Sequence, residues 1–143
     1  MSRILIVAGQ FNDLVGKSLV DAALKVFKDA GKEADVDLVW VPGAFEIPVV
    51  TARAARSKKY AAIVTLGAVI RGETPHFEYV SGPCASAVMG ISVETGVPVV
   101  FGVLTVNTVE QALNRAGLKL GNKGAEAAHT ALQMIATFQK LGF

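Results

Sequence analysis

The sequence predicts an α/β chain folded as a three-layer α/β/α sandwich, with a four-stranded parallel sheet and five helices. Three observations carry that expectation. Four short runs rich in Val, Ile and Leu alternate with longer segments of helical period, as in successive βαβ units. The runs are apolar at nearly every position, as strands covered on both faces must be. Right-handed crossovers then put helices on both sides of the sheet, in a flavodoxin-like arrangement, and ligands of such sheets gather at the strands' C-terminal edge.

The first strand is expected over Ile4 to Ala8. Behind it Leu14, Val15, Leu19, Ala22, Ala23, Val26 and Phe27 recur at three- and four-residue steps, which predicts a helix stopped at Gly31. A second strand, Val36 to Val41, turns at Pro42-Gly43 into a helix from Phe45 to Arg56, whose basic Arg56-Ser57-Lys58-Lys59 suits a helix C-terminus. The third strand, Ala61 to Leu66 with a continuation toward Ile70, precedes a helix from Pro75 to Glu94 that Gly96 and Pro98 close. The fourth runs from Val97 to Leu104. Asn107-Thr108-Val109-Glu110 then reads as a capping box, with Asn107 as the cap and Glu110 reaching back, and opens a short helix to Ala116. Gly117 to Gly124 breaks the chain, and the fifth helix covers Ala125 to Lys140.

The 143 residues suit one domain over 1–143, large enough to bury a core without disulfides or a structural metal. Fourteen basic against twelve acidic residues give a net charge of +2, and no basic run offers a track for nucleic acid. The single Cys84 makes no internal disulfide, and no Cys/His cluster has zinc-site spacing. The apolar run within Met1-Ser2-Arg3-Ile4-Leu5-Ile6-Val7-Ala8 is far shorter than a membrane span and carries no secretory pattern, so a cytoplasmic enzyme in a reducing compartment is expected. A hydrophobic share of 52% with 18% charged is apolar for so small a domain. Self-association would cover the surplus surface; an Ala- and Val-rich core is the alternative. Trp40 and Cys84 read as packing residues, and His129 as structural or solvent-exposed.

The residues just after each strand are the ones to question. Gly9-Gln10-Phe11-Asn12 puts an aromatic where the chain leaves the first strand. Phe11 could lie as a lid on the following helix, or stack on a flat heterocycle. The loop has neither the Ser/Thr/Gly phosphate cradle of a flavodoxin nor the acidic pair of a receiver domain. In Pro42-Gly43-Ala44-Phe45-Glu46-Ile47-Pro48, Glu46 falls in a first helical turn, where a carboxylate is favoured. It could equally accept hydrogen bonds from hydroxyl groups beside Gly43. The third strand delivers Gly67-Ala68-Val69-Ile70-Arg71-Gly72-Glu73-Thr74-Pro75-His76-Phe77-Glu78-Tyr79. Thr74 reads as an N-cap and Pro75 as the first helical residue, so His76 sits beside unpaired amides. That dipole end favours a neutral imidazole able to take and return a proton, and the same amides with Gly72 offer an anion site. After the fourth strand, Arg115 could satisfy helix-terminal carbonyls or clamp a phosphate, and Lys123 follows nearby.

Together these residues resemble the lumazine synthase family. The likeness rests on Gly43-Ala44-Phe45-Glu46-Ile47-Pro48, Ile70-Arg71-Gly72-Glu73-Thr74-Pro75-His76-Phe77, Phe101-Gly102-Val103-Leu104-Thr105, and Arg115-Ala116-Gly117 before Gly121-Asn122-Lys123-Gly124, in order and spacing, and with Phe11-Asn12 it covers nearly the whole chain. The resemblance implies condensation of 5-amino-6-(D-ribitylamino)uracil with 3,4-dihydroxy-2-butanone 4-phosphate to 6,7-dimethyl-8-ribityllumazine, with phosphate released and no metal or organic cofactor. It implies that Phe11 stacks on the pyrimidine, that Ala44, Phe45 and Glu46 hold the pyrimidine and ribityl chain, and that Ala68, Val69 and Ile70 line the ring pocket. Glu73 and Thr74 would bind the butanone phosphate through backbone amides, and His76 would transfer protons. Phe101 and Lys123 would complete the pyrimidine pocket and Arg115 grip the phosphate, all three from a neighbouring subunit.

The resemblance also implies a homo-oligomer, a pentamer at minimum. The short Gly117 to Gly124 connection resembles members that build sixty-subunit icosahedral shells, with riboflavin synthase as a candidate enclosed partner. Members commonly carry a further strand before the first one, which joins a neighbour's sheet; this chain begins almost at Arg3-Ile4-Leu5. Two other readings of the same residues are a non-catalytic flavin- or nucleotide-binding module, which leaves His76, Arg115 and Lys123 unused, and a shell protein that has lost the reaction.

Overall fold

The computed structural model describes residues 3–143; Met1 and Ser2, the start of the N-terminal run considered above, lie outside the described residues. Strand β1 (Arg3–Gly9) lies between β2 (Val36–Val41) and β3 (Tyr60–Ile70), and β3 also pairs with β4 (Val99–Val106). All pairs are parallel and the order is β2-β1-β3-β4. Five helices connect and flank the sheet: α1 (Asp13–Asp29), α2 (Ile47–Arg56), α3 (His76–Thr95), α4 (Val109–Arg115) and α5 (Lys123–Leu141). The three-layer, flavodoxin-like sandwich expected from the sequence is therefore present.

Alternation along the strands divides the core in two, because successive side chains of a strand point to opposite faces. Ile4, Ile6 and Ala8 of β1, with Ala62, Val64 and Leu66 of β3, pack under α1, α4 and α5. Leu5 and Val7, with Ile63 and Val69, pack under α2 and α3. These central strands are buried on both sides, which accounts for their unbroken apolar sequence.

Glycine decides how close the first helical layer comes. A Cβ at Gly102 would stand 2.7 Å from both Leu66 Cδ2 and the Thr65 carbonyl oxygen, and one at Gly124 would stand 2.0 Å from the Leu19 carbonyl oxygen. The start of α5 thus rests on the backbone of α1, in a space that no side chain can share.

Several boundaries differ from the sequence expectation. Strand β4 begins at Val99 and runs to Val106, not Val97 to Leu104, because it stays paired with β3 until Ile70. Pro98, which has no amide to donate, stands just before it and accepts from Ile63 N–H at 2.9 Å. Helix α2 starts at Ile47, after a 3₁₀ turn over Ala44–Glu46, and α3 starts at His76 with Pro75 as its cap. The cap of α4 is Thr108 and not Asn107: Thr108 Oγ1 accepts from Gln111 N–H at 3.1 Å, while Gln111 Oε1 accepts from Asn107 N–H at 2.8 Å. Half of the expected box therefore forms one residue further along, while the Gln111 side chain reaches past the cap to the amide of the residue before it. Helix α5 begins at Lys123, two residues early, because Asn122 Oδ1 accepts from the amides of Gly124 and Ala125.

At the strands' N-terminal edge, Asp37 accepts from the Arg3 guanidinium and, at 2.8 Å, from the Tyr60 hydroxyl. The hydrogen bond from Arg3, then that from Tyr60, holds the Asp37 carboxyl below its ordinary value of 3.8.

Two consequences are measurable. Gly124→Ala should lower the urea midpoint of unfolding by the equivalent of about 1–3 kcal/mol, the usual cost of overpacking; an unchanged midpoint would mean that α5 can move off α1. For Asp37, a carboxyl depressed in the folded state stabilises above its unfolded pKa and loses that contribution as pH falls through its folded one. The stability difference between wild type and Asp37→Asn should be full at neutral pH and close below the ordinary carboxylate value of 3.8. It should be small, since the two side chains are 42% and 41% exposed, and a difference that grows on acidification would contradict the pairing.

Candidate active site

The C-terminal ends of the strands deliver the candidate residues. After β1, Gln10 N–H donates to the Val41 carbonyl at 2.7 Å and Phe11 N–H to the Pro42 carbonyl at 3.1 Å, so the turn into α1 is laced to the turn after β2. Asn12 completes it in the left-handed region at φ 59°, which Asn tolerates better than most residues. The Phe11 ring is left 68% exposed, so it is no lid on α1. Phe45, in the 3₁₀ turn after β2, is 65% exposed, while its neighbour Ala44 is buried. Two aromatic rings thus stand at the rim of one cleft.

That cleft has a volume of about 550 Å³. It gathers Phe11, Ala44, Phe45, Glu46, Ala68, Val69, Ile70, Thr74 and His76 from the ends of β1, β2 and β3 and the start of α3. Its floor is apolar, because Ala68 and Val69 still belong to the buried part of β3. His76 is exposed and is the first residue of α3, one position earlier in the helix than the sequence suggested. Its amide donates toward Thr74 Oγ1 at 3.5 Å, the limit of a hydrogen bond, so Thr74 touches the helix start without capping it in the expected way.

Phe101, Arg115 and Lys123 line a second cleft of about 470 Å³ along the β4 edge. Phe101 lies within β4, not at its end, because the strand continues to Val106. Arg115 is exposed and donates from Nη1 to the Gln111 carbonyl at 3.3 Å, so it serves its own helix end as well as facing the cleft. Lys123 opens α5, where a cation opposes the helix dipole. The two clefts have no lining residue in common, and Glu73, which is exposed, lines neither. A larger cleft of about 660 Å³, between Tyr60, Pro98 and the C-terminal Phe143, holds none of the candidate residues; size does not mark the site here.

A family model for 6,7-dimethyl-8-ribityllumazine synthase matches residues 1–139, a span that takes in both clefts. The chain belongs to that family. It is accordingly an enzyme of riboflavin biosynthesis, of the class that forms 6,7-dimethyl-8-ribityllumazine.

Several residues of this lumazine synthase fold join the clefts without having been singled out from the sequence. Phe77 and Val80 continue the wall that His76 begins, one and four residues along α3. Asn107, Gln111 and Glu126 line the second cleft. Glu126 lies three residues beyond Lys123, on the same helical face, so the spacing carried a usable signal. Gln111 lies one turn before Arg115 on α4 in the same way. Asn107 reads in the sequence as a helix cap, a pattern that gives no sign of its place in the cleft wall.

Charge is concentrated where β3 leaves the sheet. Arg71 Nη1 donates to Glu78 Oε1 at 2.5 Å, and this hydrogen bond holds the Glu78 carboxyl below its ordinary range. Deeper in α3, burial pushes the Cys84 thiol up to about 11, consistent with a packing role. Trp40 packs over Gly16, and His129 is exposed on α5. Among the described residues no group of three or more His, Cys, Asp or Glu is placed to hold a metal ion, and no helix is long and apolar enough to cross a membrane.

Proposed function

We propose that the chain condenses 5-amino-6-(D-ribitylamino)uracil with 3,4-dihydroxy-2-butanone 4-phosphate, and that residues 1–143 act as one catalytic domain without a cofactor. The pyrimidine would stack on Phe11 above Ala68, Val69 and Ile70, with Ala44, Phe45 and Glu46 holding the ring and its ribityl hydroxyls. The butanone phosphate would lie against the amides of Glu73 and Thr74 at the start of α3, where the dipole favours an anion. The exposed Glu73 side chain, which lines neither cleft, is compatible with contact through its backbone alone. The substrate amine attacks the ketone and water leaves to give an imine; elimination of phosphate and ring closure with loss of a second water complete the lumazine. His76 would carry protons between these steps, and the rest of the acceleration would come from holding two reactants together.

The observation that carries this reading is the separation of the candidate residues into two clefts. One has the stacking ring and the histidine; the other has Arg115 and Lys123, the cations that a phosphorylated substrate and a carbonyl-rich pyrimidine call for. In a closed ring of identical subunits, the first cleft of one subunit would face the second cleft of the next, and each pocket would be complete. Surface supports the same idea. The chain exposes 7783 Å², against about 7,000 Å² expected for a folded monomer of its mass. That surface includes Leu118 and Leu120 beside the second cleft as well as Phe11 and Phe45. A pentameric ring would satisfy this, and a sixty-subunit shell around riboflavin synthase is the larger assembly to which the Gly117 to Gly124 connection points. The cytoplasm is the proposed location.

The direct test is to mix the purified protein with both substrates and follow lumazine fluorescence and phosphate release. No product from folded, assembled protein would remove the proposed reaction. His76→Ala should lower kcat by about tenfold to a hundredfold while leaving pyrimidine binding largely intact, since substrate amines and water can replace part of a general acid–base function. A kcat equal to wild type from pH 6 to 8 would end the proton-transfer assignment. Arg115→Ala should raise KM for the phosphorylated ketone far more than for the pyrimidine, with only partial rescue by Lys, which lacks the bidentate fork. Co-refolding the His76→Ala and Arg115→Ala proteins should return roughly a quarter of the pockets to wild type in a randomly mixed ring. No gain in rings verified by analytical ultracentrifugation would mean that the pocket lies within one subunit.

A further inference from the structure

No step of the proposed reaction falls to Arg71, yet it is among the most constrained side chains of the molecule. It directly follows β3, and its backbone N–H donates to the Val106 carbonyl at 2.9 Å, extending the β3–β4 pairing by one residue. Its guanidinium then meets three partners. Nε donates to Asn107 Oδ1 at 3.0 Å, Nη1 donates to Glu78 Oε1 at 2.5 Å, and the guanidinium carbon stands 4.4 Å from the centroid of the Phe77 ring. Phe77 and Glu78 are the two residues after His76. Asn107 is itself held, its N–H bonded to Gln111 Oε1 at the capped start of α4.

Folding stability does not account for this arrangement. The side chains of Arg71 and Glu78 are 46% and 53% exposed, and exposed ion pairs contribute little. What the contacts do accomplish is orientation. The segment from Gly72 to Thr74 has neither helical nor strand pairing, and Phe77 and Val80 hold the inner side of the first turn of α3 by apolar packing, which is not directional; the Arg71 contacts are the directional ones that brace this turn against the end of β4. A planar guanidinium supplies the brace, because its fork can reach Glu78 and Asn107 at once while its face lies on Phe77.

We propose that Arg71 is a positioning residue, which fixes the first turn of α3 against the end of β4 and thereby aims His76 into its cleft. The inference rests on the assignment of His76 as the proton-transfer group. It requires that Arg71 act through its neighbours and not by touching substrate. It further requires arginine, since lysine can keep the bond to Glu78 but cannot at the same time reach Asn107 and cover the ring.

The test is steady-state kinetics on assembled Arg71→Met, Arg71→Lys, Glu78→Gln and His76→Ala proteins, and on the Arg71→Met/His76→Ala double variant. Arg71→Met should lower kcat about tenfold or more, as small misplacements of a reacting group do, with KM for the pyrimidine and Tm close to wild type. Arg71→Lys should regain little of that loss, and Glu78→Gln should reproduce part of it. In the double variant the Arg71 effect should vanish, because residues that act through one another are not additive. Wild-type kcat in Arg71→Met, or losses that multiply in the double variant, would overturn the inference. Should Arg71→Met fail to assemble, wild-type kcat in both Arg71→Lys and Glu78→Gln would overturn it equally. If His76→Ala itself turns over like wild type, the proton-transfer assignment falls; if His76→Ala is impaired and Arg71→Met is not, only the positioning role falls.

Discussion

Parallel pairing of β1 with β3 is the constraint on which the rest of the structure depends. Ile4 to Ala8 run beside Ala62 to Leu66 in one direction, and β2 and β4 follow on the outer edges in the same sense. Four parallel strands must end on one side of the sheet, so the turns carrying Phe11, Phe45 and His76 open toward one another without any contact between those side chains being needed. The burial that stabilises the strands also shapes the cleft, since Ala68 and Val69 are at once the end of the core and the floor of the site.

The helix starts at this edge differ in chemistry. Helix α5 is capped by Asn122, whose side chain answers two of its free amides, and α4 is capped by Thr108. Helices α1, α2 and α3 have no side-chain cap. Uncapped amides at α3 cost stability in isolation, and they are what an anionic substrate group would use. Lys123 tells the same story with opposite charge. A cation in the first turn of a helix is poorly placed for the helix, and under the proposed function it would serve the pyrimidine instead, as local conflicts at functional sites do.

The two clefts differ in chemistry. The first offers an apolar floor, aromatic rims and one titratable ring, and the second offers cations beside an apolar sheet edge. Under the proposed function, a site divided over two faces of one subunit would make assembly a condition of activity, and assembly would cover the exposed Phe, Leu and Val of those faces. Within one subunit the clefts are still mechanically related. Arg71 grips the helix that bears His76 with one nitrogen and Asn107, in the wall of the second cleft, with another.

Periodicity and composition alone determined the four strands, the five helices and their layering, because burial on two faces forces unbroken Val and Ile runs and burial on one face forces a three-to-four-residue repeat. The residues at the strand ends were legible too, since a parallel sheet leaves no choice of edge, and the family resemblance supplied roles that spacing could not. Finer features needed the tertiary structure. Asn107 and Thr108 are both good caps, and only the hydrogen bond from Gln111 N–H to Thr108 Oγ1 decided between them. The end of β4 depended on how far β3 extends, which is a property of the partner strand and not of Val99 to Val106. The exposure of Phe11, the separation of Arg115 and Lys123 from His76, and the reach of Arg71 to Asn107 depend on how segments far apart in the chain come together. A local pattern carries no record of them, because pattern reports which face a residue turns inward and not what it meets there.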